Sequence, residues 1–386
     1  MAWNDNILGT GTQVDPYQVT TVEQFEGALA QRGAYLKIMN NLDFGGISKR
    51  YTFSARYVDG NNKILSNFYI LNDLVFDLPV YNDSTEESRN REIENATMEF
   101  VIVSYLTQQT GASDKNNYAG ISGCYSFEID STLRDFDPNL IFRGCDIRVK
   151  YYGAVDGDDS ASNSAGSIFC RMRNNGRTGE WKNLSRPILN AYNSVFSIDE
   201  YCLLPYNAPP AFASFGHTLV YTWYSQYEAN RQGIIDNCIV KINVYDKFGW
   251  NERFIHIGQD GSYWYSVFRN SIVGYFDIIS NTAFHINFIA KSHLQSGTYL
   301  GILNGCNNMY NSYFVVNCPT YVEYFDFSFT RLATINFLAS DSTAIFRHYE
   351  VSSSYNTSKQ LVKISLADAK DRDTIESLGF VLKHTD

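Results

Sequence analysis

The stretch Asn237-Cys238-Ile239-Val240-Lys241-Ile242 decides how this chain is read. A turn residue, a small thiol or hydroxyl residue and an alternating apolar run also occur at Gly144-Cys145-Asp146-Ile147-Arg148-Val149 and Asn193-Ser194-Val195-Phe196-Ser197-Ile198. They return at Asn270-Ser271-Ile272-Val273 and Asn311-Ser312-Tyr313-Phe314. The first residues are 49, 44, 33 and 41 positions apart. Asparagine tolerates left-handed dihedrals at a turn, and its amide can pair with an asparagine stacked above or below. The alternation is that of strands with one buried face. A loose period of this size predicts an all-β fold: a single-stranded right-handed parallel β-helix with short N-terminal and C-terminal helical caps. If the longer steps are two coils of about 22 residues, the rod has about 14 coils and a length of about 65 Å. The same strands can form a β-sandwich or jelly roll. Scarce Asn-Gly and Asp-Gly hairpins count against that alternative.

Outward from this motif, three zones follow. Residues 1–48 read as an N-terminal cap. Thr20 or Thr21 caps a helix with Glu23 or Gln24 at its third position, and Val22, Phe25, Ala28 and Leu29 keep helical spacing up to Gly33. One strand then runs from Tyr35 to Phe44. Residues 49–360 read as the parallel β-helix, with insertions near 82–96 and 153–167, the first charged and the second a flexible loop. Residues 361–386 read as a capping helix from Leu366 to Leu378, started by Ser365 and stopped by Gly379, with a short tail.

Composition narrows the function. Aromatic residues make up 15% of the 386 residues and charged residues 19%, which excludes a disordered chain. The net charge of -10 has no concentrated basic face, so no nucleic-acid partner is expected. No apolar run reaches the roughly 18 residues of a membrane helix, so no membrane insertion is expected. The seven cysteines are odd in number and form no Cys-x-x-Cys pair. They read as buried free thiols rather than disulfides or zinc ligands. No basic and apolar leader opens the chain, which predicts synthesis in a host cytoplasm.

Two end segments carry a resemblance. Gly9-Thr10-Gly11-Thr12-Gln13-Val14-Asp15-Pro16-Tyr17-Gln18-Val19-Thr20-Thr21-Val22-Glu23-Gln24-Phe25, followed by Tyr35-Leu36-Lys37-Ile38-Met39-Asn40-Asn41-Leu42-Asp43-Phe44, is similar to the opening of β-helical bacterial surface proteins and of phage structural proteins. Asn41 departs from the usual Asp. The tail Lys370-Asp371-Arg372-Asp373-Thr374-Ile375-Glu376-Ser377-Leu378-Gly379-Phe380 is similar to the closing helix of the same set. Together these segments hold 38 residues. The resemblance implies a bacteriophage virion appendage (tail, collar or head fibre, or spike) or a bacterial surface adhesin, and the missing leader, free cysteines and Asn- and Tyr-rich composition favour the phage protein.

Candidate chemistry is sparse. Tyr152-Gly153-Ala154-Val155-Asp156-Gly157-Asp158-Asp159-Ser160 resembles a signature of pectate-lyase-like proteins and phage tailspikes, but it lies mid-chain and leads into a Ser-rich stretch, so it reads as a solvated acidic loop. Three nearby carboxylates also suit a hard cation. Glycoside hydrolysis needs paired carboxylates, for which Asp236, Asp246, Glu252, Asp260, Asp277, Glu323 and Asp326 are available by type. The six histidines show no ligand spacing, so no metal, cofactor or catalytic residue is assigned. Aromatic clusters at 215–227 and 248–268 offer flat faces, and Trp223, Tyr224, Trp250, Tyr263 and Trp264 are the candidate contacts for a glycan or partner. The expectation is a non-enzymatic virion structural protein located in the particle. It would be a homotrimer that meets other virion proteins and a host surface glycan through a receptor-binding or assembly surface. The rivals are a depolymerase of host polysaccharide and a bacterial surface adhesin.

Overall fold

A computed structural model describes residues 3–4, 6–71, 73–79, 89–106, 120–123, 139–155, 165–166, 188–202, 212–213, 233–246, 273–290, 298–317, 322–329, 331–332, 336–341, 345–350 and 361–377. The fold is all-β with a parallel main sheet, and among the described residues it has two short α-helices. Every strand pairing among the described residues is parallel, with one isolated antiparallel bridge, Leu8 to Gln18. A sandwich or jelly roll would be antiparallel, so the parallel alternative stands.

Two ladders run through the main sheet. The first stacks Leu42–Asp43, the second half of Tyr57–Leu71, the second half of Asn90–Leu106, Asp146–Val155, Val195–Cys202, Ile239–Asp246, Ala283–Ala290, Tyr313–Asn317, Asn336–Ala339 and Leu361–Ile364. The second stacks Tyr17–Val19, Tyr35–Ile38, the first halves of the same two long strands, then Asn139–Arg143, Ile188–Tyr192, Ile234–Asp236, Val273–Ser280, Thr298–Tyr310 and Arg331–Leu332. A short third sheet stacks Tyr51–Thr52, Leu74–Asp77 and Gly120–Gly123.

Register turns alternation into continuous columns. On the first ladder Leu42, Leu65, Met98, Ile147, Phe196, Val240, Phe284, Phe314 and Leu338 lie one above another, all buried. On the second, Leu36, Val58, Ile93, Phe142, Ala191, Ile235, Ile279 and Met309 do the same. Phe284 and Phe314 stack with centroids 4.7 Å apart, the spacing of neighbouring strands. Apart from the small Ala191, each such side chain contributes about 1.5–3 kcal/mol by leaving water. The column ends at an exposed Lys363 above Leu338, in the last strand of the ladder.

Between the ladders the chain turns at a left-handed residue: Asn95, Gly144, Asn193, Asn237, Asn281 and Asn311. Every non-glycine residue with positive φ among the described residues is asparagine, whose short side chain lowers the cost of that conformation. Gly144 takes the place because a Cβ there would sit 2.8 Å from Asn95 Oδ1. The next position inward is small or hydroxylated, Ala96, Cys145, Ser194, Cys238, Thr282 and Ser312, and one tier further Asn336 lies over Ser312, all of them buried. The Cys145 amide donates to Ser194 Oγ at 3.1 Å, the Thr282 amide to Ser312 Oγ at 3.1 Å, and the Ser312 amide to Asn336 Oδ1 at 2.9 Å. A hydroxyl, or the Asn336 amide oxygen, thus satisfies a turn amide that the ladder leaves over, while the Cys145 and Cys238 thiols donate to the Arg143 and Asp236 carbonyls.

Several expectations are corrected by this register. A step of 49 or 44 residues is one tier, since Asp146 pairs directly with Val195 and Val195 with Ile239. Among the described residues ten strands stack in each ladder, which at about 4.8 Å per step span about 43 Å, against the length of about 65 Å expected. The fourth repeat is Asn281-Thr282-Ala283-Phe284, in register with Ile239 and Val240 through Ala283 and Phe284, whereas Asn270 lies outside the described residues. Residues 90–96, read as part of an insertion, open the strand Asn90–Leu106. Gly153, Ala154 and Val155 complete Asp146–Val155 instead of starting a loop. The strand expected from Tyr35 to Phe44 is two strands, Tyr35–Ile38 and Leu42–Asp43, one in each ladder.

The N-terminal helix is Val22–Leu29. Thr21 Oγ1 accepts from the Gln24 amide at 3.3 Å, while Gln24 Oε1 accepts from the Thr20 amide at 2.8 Å. Its apolar face sinks Phe25 against Phe44 and Phe68, with ring centroids 5.3 and 6.4 Å away. The C-terminal helix is shorter than expected. Ser365 Oγ caps a single 3-10 turn, Asp368–Lys370, Asp371 is extended, and a second helix covers Arg372–Ser377. Its Ile375 packs with Ala339, Tyr313, Val315, Val362 and Ile364 on the last tiers.

Candidate functional site

Tyr35, Tyr57 and Glu92 occupy one outward column of the second ladder, and Lys37, Asp59, Glu94 and Arg143 occupy the next. Alternation puts Leu36, Val58 and Ile93 between them, facing the core. Of these residues Tyr35, Lys37, Tyr57, Asp59 and Glu92 form the floor of a cleft of about 480 Å³, lined also by Gln13, Pro16, Arg56 and Asn90. That volume falls in the range of about 300–1,000 Å³ usual for small-ligand sites.

The cleft is built rigidly. Tyr35 and Tyr57 tilt at 39° with centroids 5.9 Å apart. The Tyr57 hydroxyl donates to Glu94, and Arg143 pairs with Glu92 while lying 4.3 Å over the Tyr192 ring. Burial first, and then the Glu94 contact, hold the Tyr57 phenol well above its ordinary range. Lys37 Nζ and Asp59 Oδ2 are 3.9 Å apart, an ion pair too long for a direct hydrogen bond. Asp59 Oδ1 accepts from the Asn61 amide at 2.8 Å, which orients the carboxylate.

The remaining wall is the loop 9–16. The Thr10 and Thr12 amides both donate to the Asp15 carbonyl, at 3.0 and 3.2 Å, and the Tyr35 amide donates to the Gly11 carbonyl at 2.9 Å. Gly9 is needed at φ 89°, where a Cβ would lie 2.0 Å from the Pro16 carbonyl oxygen. The GTGT segment is thus a pinned loop that holds Gln13 over the tyrosines.

A second outward feature lies midway along the first ladder, toward the C-terminal ends of its strands. Tyr152, Tyr201 and Tyr245 stack face to face, with centroids 4.8 and 4.7 Å apart. Beside them Asn243 Nδ2 donates to Asp199 Oδ1 at 2.8 Å, and Asn287 Nδ2 donates to Asn243 Oδ1 at 2.9 Å. These rings spend their faces on each other and present edges outward.

Trp223, Tyr224, Trp250, Tyr263 and Trp264, the contacts expected from sequence, all lie outside the described residues. So do Glu252, Asp260 and the acidic loop from Asp156 to Ser160. Asp236 accepts from Ser280 Oγ at 2.7 Å and Asn281 Nδ2 at 2.8 Å, so its carboxylate serves the stack. Asp77, a carboxyl that burial holds above its ordinary range, lies on Leu74–Asp77 and does not line the cleft. Among the described residues no three His, Cys, Asp or Glu side chains gather as a metal site requires. Among the same residues no helix is long and apolar enough to cross a membrane.

Sequence reading passed over the cleft, whose members are scattered from Gln13 to Glu92. One signal was present: Tyr35-Leu36-Lys37 and Tyr57-Val58-Asp59 repeat an aromatic–apolar–charged pattern one tier apart. Compared with known proteins, the chain matches no family model, no curated protein and no solved structure.

Proposed function

We propose that this chain is a structural component of a bacteriophage virion. It is a tail, collar or head appendage built as a single-stranded right-handed parallel β-helix, associating as a homotrimer and presenting its flanks to a host surface or to other virion proteins. The observation that carries this reading is the register of the two ladders. Inward columns run unbroken for nine tiers on one ladder and eight on the other, and parallel crossovers within a sheet are right-handed in nearly all proteins. A stack in which every tier buries its neighbours is stiff along its axis, as a projecting appendage must be. The resemblance of Gly9–Phe25 and Lys370–Phe380 to phage structural and bacterial surface proteins supplies the biological setting.

A second reading, cleavage of surface polysaccharide, is favoured by the presence of both Asp59 and Glu92 in one cleft. Their partners Asn61 and Arg143 weigh toward a positioning role instead.

The deciding experiment incubates the purified chain with capsular and wall polysaccharides, follows new reducing ends and unsaturated uronates, and determines mass by light scattering. A trimer that releases no sugar ends is expected. Turnover abolished by Asp59→Asn would replace the appendage reading with the depolymerase, and an inactive monomer would remove the trimer.

A further inference from the structure

We infer that the cleft over Tyr35 and Tyr57 is a binding site for one unit of an uncharged saccharide, a site contained within a single chain. The inference deepens the appendage reading and rests on it for its biological meaning, but its chemistry stands on the cleft alone.

Three observations select the ligand class. First, the floor offers two tyrosine rings at a 39° tilt, unlike the face-to-face stack of Tyr152, Tyr201 and Tyr245. Rings so inclined leave face area for the C–H side of a sugar, whereas stacked rings do not. Secondly, the polar groups around them are planar or forked: the Gln13 and Asn90 amides, the Arg56 guanidinium and the Asp59 carboxylate. Such groups pair with vicinal hydroxyls, which donate and accept at once. Thirdly, the charges cancel. The lining carries two cations, Lys37 and Arg56, and two carboxylates, Asp59 and Glu92; Lys37 faces Asp59, and Glu92 is engaged by Arg143. A phosphate or uronate would meet Asp59 and Glu92 without a surplus of cations. An apolar ligand would strip water from these groups without offering them a hydrogen bond in return. The 3.9 Å gap between Lys37 and Asp59 is wide enough for a hydroxyl to be shared between them. Because Gly9, Gly11 and the Asp15 carbonyl already pin the loop that carries Gln13, little ordering accompanies binding.

The test uses the full chain with methyl glycosides of glucose, galactose, N-acetylglucosamine and rhamnose, and with glucuronate and glucose 6-phosphate as charged counterparts. Saturation-transfer NMR and calorimetric titration read the binding. At least one neutral glycoside is expected to bind, and more tightly than either charged sugar. Gln13→Ala, at an exposed loop position that does not support the fold, should weaken it about tenfold, as should Asp59→Asn. Tyr152→Ala, on the other ladder, should leave it unchanged. Absence of binding by every neutral glycoside, equal or tighter binding of a charged sugar, or binding indifferent to both Gln13→Ala and Asp59→Asn would overturn the inference. Each of those outcomes leaves the mass and cleavage results, and so the appendage reading, standing on their own.

Discussion

The side-chain amide of Asn237 donates to the side-chain oxygen of Asn193 across 2.8 Å of space and 44 residues of chain. Both residues are in the left-handed conformation, and Asn311 repeats the contact with Asn281 at 3.0 Å. The turn between ladders therefore needs asparagine for two reasons, its backbone tolerance and its amide. Replacing Asn237 with Gly keeps the first and loses the second, while Ala loses both. Asn237→Gly should cost about 1 kcal/mol, a typical net hydrogen bond. Asn237→Ala should cost about 2–3 kcal/mol by adding the left-handed penalty. Urea unfolding of the two variants measures the difference, and equal losses would show that the dihedral plays no part.

Ser194 sits one position inside that turn. Its hydroxyl accepts from the Cys145 amide at 3.1 Å and donates to the Tyr192 carbonyl at 2.8 Å. Ser194→Ala strands a buried amide and should cost about 1–3 kcal/mol. Ser194→Cys should cost less, because Cys145 and Cys238 fill the equivalent place in the tiers on either side. Thermal melts of the two variants rank them; a cysteine variant as unstable as the alanine variant would contradict the equivalence.

Phe196 belongs to the apolar column between Ile147 and Val240 and is fully buried. Phe196→Ala should cost about 3–5 kcal/mol through lost transfer energy and the cavity left behind. The outward neighbour Ser197→Ala should change stability by less than about 0.5 kcal/mol. Denaturant midpoints for the pair test the assignment of faces, since a one-residue slip in register would reverse the two results.

These positions also show why the sequence was legible in one respect and opaque in another. Asn237-Cys238 and Asn193-Ser194 announce their turns by residue type, because the left-handed dihedral and the buried small group admit few alternatives. Tier length has no such signature. Phe314 to Leu338 is one tier of 24 residues and Ile147 to Phe196 is one of 49, so a period computed between motifs mistakes a long tier for two. Thr282 hid a repeat because its hydroxyl does the work of Ser194 in a different residue type. The cleft was opaque for a further reason. Gln13, Tyr35, Arg56, Tyr57 and Glu92 become neighbours through strand pairing, which residue spacing alone does not reveal.

The buried thiols should be inert. Burial raises Cys145 to about 11 and Cys238 to about 12, and pushes Cys306 higher still. At pH 8 the thiolate fraction of each falls by roughly two or more orders of magnitude relative to a free cysteine. Iodoacetamide labelling followed by peptide mass spectrometry should find all three unmodified in the native chain and modified in urea. Native labelling of Cys238 would show that its tier opens readily.

His285 gives the stack a pH dependence. Its ring is half-buried on the outward column above Lys241 and meets the Tyr313 ring edge-on at 6.0 Å. Burial, and secondarily the Lys241 charge, lower its pKa from the ordinary 6.5. The unfolded chain therefore binds this proton more readily than the folded one. Its contribution to stability is complete above pH 6.5 and declines as the pH falls from that value through the lower folded pKa. Wild-type melting temperature should drop between pH 7 and pH 5 by more than that of His285→Gln, which removes the titrating group. Lys241→Gln should give an intermediate slope, since it removes the smaller cause and leaves burial in place. Parallel melting curves for wild type and His285→Gln across this interval would place the acid sensitivity in other groups.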